Sequence, residues 1–179
     1  MSRTFKVVVL GDSAVGKTSI LNRLLRDEFL QEYVPTVEIS ISEREFAFSK
    51  YLLKLSFWDA NRDVADEAFE NYCGNAKAIL TVFDICRPSS LAFAEEQCRR
   101  AMEMLGYRPA AWLVGNKTDR SGRRVDAAYA EGRARLLGLN YVETSAKTGE
   151  NIEKLLKDVL KGLLKLRLEE VERALEGWR

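Results

Sequence analysis

Three kinds of hydrophobic pattern recur along the chain. Residues 4–10, 78–84 and 110–115 are almost uninterrupted apolar runs, as expected of parallel strands covered on both faces. Residues 37–48 alternate imperfectly through Ile39, Ile41, Phe46 and Phe48. Tyr51, Leu53, Leu55 and Phe57 alternate cleanly, so the two segments predict an antiparallel hairpin turning at Ser49-Lys50. A short run at 139–142 predicts a sixth strand. Helical spacing appears after each of the other runs: Ile20, Leu21, Leu24 and Leu25 to about Arg26, then residues 65–73, 89–105 and 126–137. Pro88 stands just before the third of these, with Ser89 or Ser90 as its cap. A last helix begins near Glu150 and continues almost to the end. This alternation predicts an α/β fold: a mostly parallel six-stranded sheet with one antiparallel edge strand and helices on both faces.

The turns between these elements carry the chemistry. Gly11-Asp12-Ser13-Ala14-Val15-Gly16-Lys17-Thr18 reads G-x-x-x-x-G-K-T between the first strand and the first helix, the context of a phosphate-binding loop. The glycines let the backbone wrap closely, so that successive N–H groups and the helix N-terminus face phosphate oxygens. Lys17 is expected to reach the β- and γ-phosphates and the Thr18 hydroxyl to ligate Mg²⁺. Asp59 ends the second hairpin strand, and therefore lies at the rim where open α/β sheets hold ligands.

Asn116-Lys117-Thr118-Asp119 and Ser145-Ala146-Lys147 also follow strands and fall on that rim. A carboxylate such as Asp119 can accept from N1–H and the 2-amino group of guanine, a donor pair adenine lacks; a polar pocket strongly rejects the base that leaves it unpaired. Asn116 can tie the loops together, the Lys117 stem can cover the ring, and the Ala146 N–H can donate to the guanine carbonyl oxygen.

Composition narrows the chemistry further. With 46% hydrophobic and 31% charged residues, the 179-residue chain has the makeup of a soluble globular protein. A net charge of +1 gives no broad field for nucleic acid. The chain contains no histidine, which excludes histidine-based triads and metal sites. Cys73, Cys86 and Cys98 lack C-x-x-C spacing and read as free thiols in a reducing compartment. No segment reads as a signal peptide or a membrane span.

On the loop "GDSAVGKTS", Phe29 with "YVPT", Trp58-Asp59, "NKTD" and "ETSAK", the chain resembles the Ras-like small GTPases over about residues 4–165, most closely the Rab branch in its first loop. The resemblance implies a P-loop NTPase G domain over residues 1–165, with 166–179 extending the last helix. GTP or GDP and Mg²⁺ are the implied ligands. The implied nucleotide-binding residues are Ser13, Ala14, Val15, Gly16, Lys17, Thr18, Ser19, Phe29, Tyr33, Asn116, Lys117, Asp119, Ser145, Ala146 and Lys147. Phe29 would pack edge-on against guanine and Tyr33 would flap over the phosphates. Thr36 would join Mg²⁺ to the γ-phosphate, Thr18 would ligate the ion directly, and Asp59 would hold it through water. Lys17 and Thr36 are implied to be catalytic.

The chain departs from the family where D-x-x-G-Q is usual. It reads Asp59-Ala60-Asn61-Arg62-Asp63, which removes both the glycine that contacts the γ-phosphate and the glutamine that orients water. Slow GTP hydrolysis is therefore expected. Asp63 takes the catalytic position by alignment, and Arg62 reads either as a cis arginine finger or as a surface arginine. The alternative function is a hydrolysis-deficient, GTP-bound scaffold; a P-loop kinase or ATPase is disfavoured by "NKTD" with "ETSAK".

The C-terminal stretch ends Glu176-Gly177-Trp178-Arg179, with no prenylatable cysteine, so no lipid anchor is expected there. Leu164, Leu168, Val171, Leu175 and Trp178 continue at spacings of four and three, an a/d seam. It reads as a cap folded on the domain, as a self-associating or partner-docking helix, or, against its glutamates, as a membrane-binding one. Effectors and regulators are expected on residues 30–42 and 60–75. The expected location is cytoplasmic, with peripheral membrane contact through partners.

Overall fold

The computed structural model describes residues 4–30, 39–48, 51–60 and 66–176. Strands β1 (Thr4–Leu10), β2 (Ser40–Phe48), β3 (Tyr51–Asp59), β4 (Ala78–Asp84), β5 (Ala110–Asn116) and β6 (Asn140–Thr144) form one six-stranded sheet in the order β2-β3-β1-β4-β5-β6. Every neighbouring pair is parallel except β2 with β3 at the edge. This is the architecture that the hydrophobic pattern predicts. The turn at residues 49–50 lies outside the described residues.

Alternation within each strand divides the core in two. Phe5, Val7 and Val9 of β1, with Leu55 and Phe57 of β3, pack on the face covered by α1 (Lys17–Arg26) and α5 (Ile152–Glu176). Val8 and Leu10, with Ile79 and Phe83 of β4, pack on the opposite face, under α2 (Asp66–Cys73), α3 (Pro88–Leu105) and α4 (Ala127–Leu137). A strand buried on both faces needs apolar residues at every position, which explains the continuous runs of β1, β4 and β5.

Register places the functional loops on one rim. Val9 pairs with Asp59, Asp84 with Asn116, and Asn116 with Thr144. The carboxyl ends of β3, β4, β5 and β6 are thus brought level, and the loop after β1 emerges between β3 and β4.

Among the boundaries that differ from the sequence reading, three have a clear physical reason. Pro88 is the first residue of α3 rather than a residue outside it, and Arg87 is its N-cap. Proline fits a first helical turn, where its missing N–H has no helical partner. Strand β6 runs to Thr144, past Val142, because edge pairing with β5 holds Glu143 and Thr144 in the ladder regardless of their polarity. Helix α5 starts at Ile152 rather than Glu150, since Asn151 sits in the left-handed region at φ 56°.

Helix α5 is 25 residues long. Of its outer seam, Leu164 packs against the core, while Leu168 and Val171 are about half exposed. Glu170 Oε1 accepts from Lys77 Nζ at 2.8 Å, tying the helix to the start of β4. The side chain of Leu175 and all of Trp178 lie outside the described residues. Among the described residues, no helix is long and apolar enough to cross a membrane.

Candidate nucleotide site

The loop between β1 and α1 turns on two glycines. Gly11 has φ 138°, and a Cβ there would stand 2.2 Å from the Val82 carbonyl oxygen. Gly16 has φ 97°, and a Cβ would stand 2.3 Å from Asn116 Nδ2. Both positions exclude a side chain by conformation and by contact.

Every carbonyl from Gly11 to Gly16 is engaged. Lys17 Nζ donates to Gly11 O at 2.8 Å and Asp12 O at 2.9 Å. Arg87 Nη2 donates to Ser13 O at 2.5 Å, Lys117 Nζ to Ala14 O at 2.6 Å, and Asn116 Nδ2 to Val15 O at 2.9 Å. Gly16 O accepts from Ile20 N at 2.9 Å, opening the helix. A trans peptide holds its C=O and N–H antiparallel. Donors from the rim on carbonyls 13 to 15 therefore aim the N–H groups of Ala14, Val15 and Gly16 the other way. Together with the first N–H groups of α1 they make an anion cradle. Ser13 N–H is used differently, donating to Asp12 Oδ1 at 2.8 Å. Ser19 follows within the first turn of α1 and is partly buried.

Lys17 is buried at the floor of the loop. Burial lowers its pKa, against the raising effect of Asp59 and Asp12, and the Arg87 charge lowers it further. Two of its three ammonium protons serve Gly11 and Asp12, which leaves one for a ligand. Asp59 is also buried; burial pushes its pKa up, opposed by the Thr18 hydrogen bond and the Lys17 charge. Thr18 Oγ1 donates to Asp59 Oδ2 at 2.5 Å. Asp59 Oδ1 is buried with no hydrogen-bond partner among the described residues. A hydroxyl and a carboxylate that share one proton, with a second carboxylate oxygen unsatisfied, fit a hard oxygen-seeking cation such as Mg²⁺.

On the opposite side, Asn116 joins three loops. Besides donating to Val15, its Oδ1 accepts from Thr144 Oγ1 and from Ala146 N, each at 3.2 Å. Ser145 Oγ donates to Asp119 Oδ1 at 2.6 Å and accepts from Thr148 N at 3.1 Å, fixing one carboxylate oxygen of the exposed Asp119. Lys117 has φ 74°, and its Nζ also pairs with Asp84 Oδ2 at 2.7 Å. Burial acts to raise the Asp84 pKa, but the Lys117 hydrogen bond, the Cys86 N–H and the charges of Lys117 and Arg120 outweigh it and hold the carboxyl below its ordinary range. Phe29 packs, partly buried, against the core on the α1–α5 side of the sheet, and Lys147 is exposed next to Ala146.

The structure thus brings residues 13–19, Asp59, Asn116, Lys117, Asp119 and 145–147 to one rim. Tyr33, Thr36, Arg62 and Asp63 lie outside the described residues. Sequence reasoning missed four contributors. Arg23 of α1 donates to the carbonyls of Ala146 at 2.9 Å and Lys147 at 2.8 Å. Arg87 and Asp84 act from the end of β4. Tyr72 of α2 has its hydroxyl 2.7 Å from both the Val9 and Trp58 carbonyls, bracing the strands just before Gly11 and Asp59. Only Asp84 left a signal, as a charged residue closing an apolar strand.

Residues 6–165 match the model of the Ras family. The chain is also similar to the GTP-binding protein YPT53 of Saccharomyces cerevisiae, with 34% identity over 157 residues, covering 83% of this chain and 71% of the relative. With the strand–loop–helix motif, the sheet order and the convergent rim already in place, these matches identify the chain as a member of the Ras family.

Proposed function

We propose that this protein is a guanine-nucleotide switch that binds GTP and GDP with Mg²⁺ and hydrolyses GTP slowly. The observation that carries the reading is Asn116, whose amide bonds Val15 of the phosphate loop while its oxygen takes Ala146 N and Thr144 Oγ1. One buried side chain thus couples a phosphate cradle to a base pocket. Family membership supports the coarse activity. The working unit is taken as residues 1–165, with 166–179 prolonging α5.

In this reading the N–H groups of the loop and Lys17 hold the phosphates. Asp119, oriented by Ser145, receives the guanine N1–H and 2-amino group, and Phe29 flanks the ring. Thr18 and Asp59 would hold Mg²⁺, with Thr36 joining them in the GTP state; the ion would neutralise charge on the β- and γ-phosphate oxygens. The replacement of the usual glycine and glutamine by Arg62 and Asp63 motivates the slow rate: an aspartate side chain has no amide to orient water, and its negative charge would be repelled by a γ-phosphate. Effectors and regulators are assigned to residues 30–42 and 60–75, with the exposed Leu168–Val171 face of α5 as a second contact. A cytoplasmic location, with membranes reached through partners, completes the proposal.

The test is the nucleotide released on denaturing freshly purified protein, read beside single-turnover GTP hydrolysis. Retained GDP with slow turnover supports the switch. Retained GTP with no turnover supports a GTP-bound scaffold instead, and absence of any guanine nucleotide refutes both. Asp119→Asn is expected to shift preference from guanine to xanthine nucleotides; undiminished guanine selectivity would refute the base-pocket assignment.

A further inference from the structure

Arg87 breaks a local rule. N-cap positions favour Ser, Thr, Asp or Asn, whose oxygen accepts from the first free N–H groups of the helix; arginine has no acceptor to offer. At the head of α3, Arg87 makes no side-chain cap. Ser90 serves the segment instead, its Oγ donating to Arg87 O at 2.6 Å and accepting from Asp84 N at 3.0 Å. The Arg87 backbone is held from both sides, by Arg87 N on Asp84 O and Ser90 N on Arg87 O, each at 2.9 Å. The next residue is Pro88, the first of the helix. A pinned backbone carries a long charged side chain that contributes nothing to its own helix.

That side chain crosses to the phosphate loop. Arg87 Nη2 donates to Ser13 O at 2.5 Å and lies 3.3 Å from Asp12 Oδ2. Asp12 in turn accepts from Ser13 N through Oδ1. The Ser13–Ala14 peptide is therefore fixed by a guanidinium, while the next two are fixed by Lys117 and Asn116 from the neighbouring loop. Lys117 and Asn116 belong to the N-K-x-D segment; Arg87 lies outside the sequence motifs named above. The fixation has a specific object: Ala14 sits in the left-handed region at φ 57°, where a non-glycine residue is strained and needs external support.

We propose that Arg87 is a positioning residue of the phosphate loop, clamping the Ser13 carbonyl so that the Ala14 N–H stays aimed at the bound phosphates and GDP leaves slowly. The proposal rests on the guanine-nucleotide reading above. It places a determinant of nucleotide retention on the β4–α3 connection, outside the loop itself. A partner that drew Arg87 away would loosen the phosphates while leaving Asp119 and Ser145 in place.

The experiment uses the full chain loaded with Mg²⁺ and GDP carrying a fluorescent ribose label, chased with excess unlabelled GDP. Arg87→Ala should release GDP about tenfold faster, the scale of one lost charge-assisted hydrogen bond. The ³¹P resonance of the bound β-phosphate should shift while that of the α-phosphate holds. Arg87→Lys keeps one donor and loses the fork, so it should recover part of the retention. A general loss of stability would move both resonances and would not be relieved by lysine. If Arg87→Ala does not fold, the comparison is made with Arg87→Gln and Arg87→Lys. Wild-type protein that retains GDP, with a variant releasing it within about twofold and an unmoved β-phosphate signal, overturns this proposal alone, because a single charge-assisted contact exceeds that change. Wild-type protein that binds no labelled GDP overturns the nucleotide reading and this proposal with it.

Discussion

Arg23 of α1 donates from Nε to the Ala146 carbonyl at 2.9 Å, across 123 residues of sequence. Its Nη2 takes Lys147 O, and its Nη1 closes the end of its own helix on Asp27. The helix that starts at the phosphate cradle therefore also holds the loop assigned to the base. Arg23→Ala is expected to weaken GDP binding by about tenfold, within the range of lost charged hydrogen bonds. Preference for guanine over xanthine should stay intact, because Asp119 keeps its Ser145 partner. Equilibrium binding of both diphosphates checks this; unchanged GDP affinity would show that the Arg23 bridge is dispensable.

Ala14 occupies left-handed backbone at φ 57° and is exposed. Left-handed geometry costs a residue bearing Cβ roughly 1–2 kcal/mol, and glycine gives back part of that relief through its looser unfolded chain. Ala14→Gly should therefore raise the unfolding free energy by about 0.5–1 kcal/mol. Urea unfolding of the GDP-bound protein measures it, and a destabilised variant would mean that the methyl makes a compensating contact.

The three thiols should separate by accessibility. Cys73 is buried and its thiol is pushed up to about 12, chiefly by that burial. Cys98 is also buried and raised, whereas Cys86 is partly exposed near the rim. Thiolate is the reactive form, so at about pH 8 a disulfide reagent should modify Cys86 first and the other two only on unfolding. Peptide mapping after a short exposure checks the order; early modification of Cys73 would contradict the packing of α2.

Glu143 is held below its ordinary pKa, first by the two hydrogen bonds from Arg123 at 2.8 and 2.7 Å and then by the Tyr141 hydroxyl, while burial opposes them. A depressed carboxylate stabilises the fold fully above its unfolded pKa, and that stabilisation is lost as pH falls through the folded pKa. Glu143→Gln should thus narrow its stability deficit to wild type on acidification below about pH 4.5, the side on which the wild-type carboxylate protonates. Urea midpoints at neutral and acid pH test the sign, and a deficit that widened in acid would reverse the assignment.

Much of the fold, and which loops meet at one rim, were legible in the sequence. Period-two and continuous apolar runs separated the β2–β3 hairpin from the buried strands, since a strand covered once alternates and a strand covered twice does not. Helix ends were less legible. Pro88 reads equally well before or inside a first turn, and only the hydrogen bonds of Ser90 show which. Arg23, Arg87 and Tyr72 left no local signal, because each works through backbone carbonyls distant in sequence, and a carbonyl acceptor has no residue identity.

By itself the sequence determined the chemistry available: a G-x-x-x-x-G-K-T loop from Gly11 to Thr18, a carboxylate at the end of an alternating run, an N-K-x-D segment, and no histidine to offer another route. Those properties follow from residue type and from spacing along one strand or turn. Tertiary structure decided how the loop is held. Register brought Asp84, Asn116 and Thr144 level, and α1 and the β4–α3 connection then delivered Arg23 and Arg87. Orientation of a peptide plane depends on what its carbonyl meets in space, and that is set by the packing of segments that the chain itself keeps far apart.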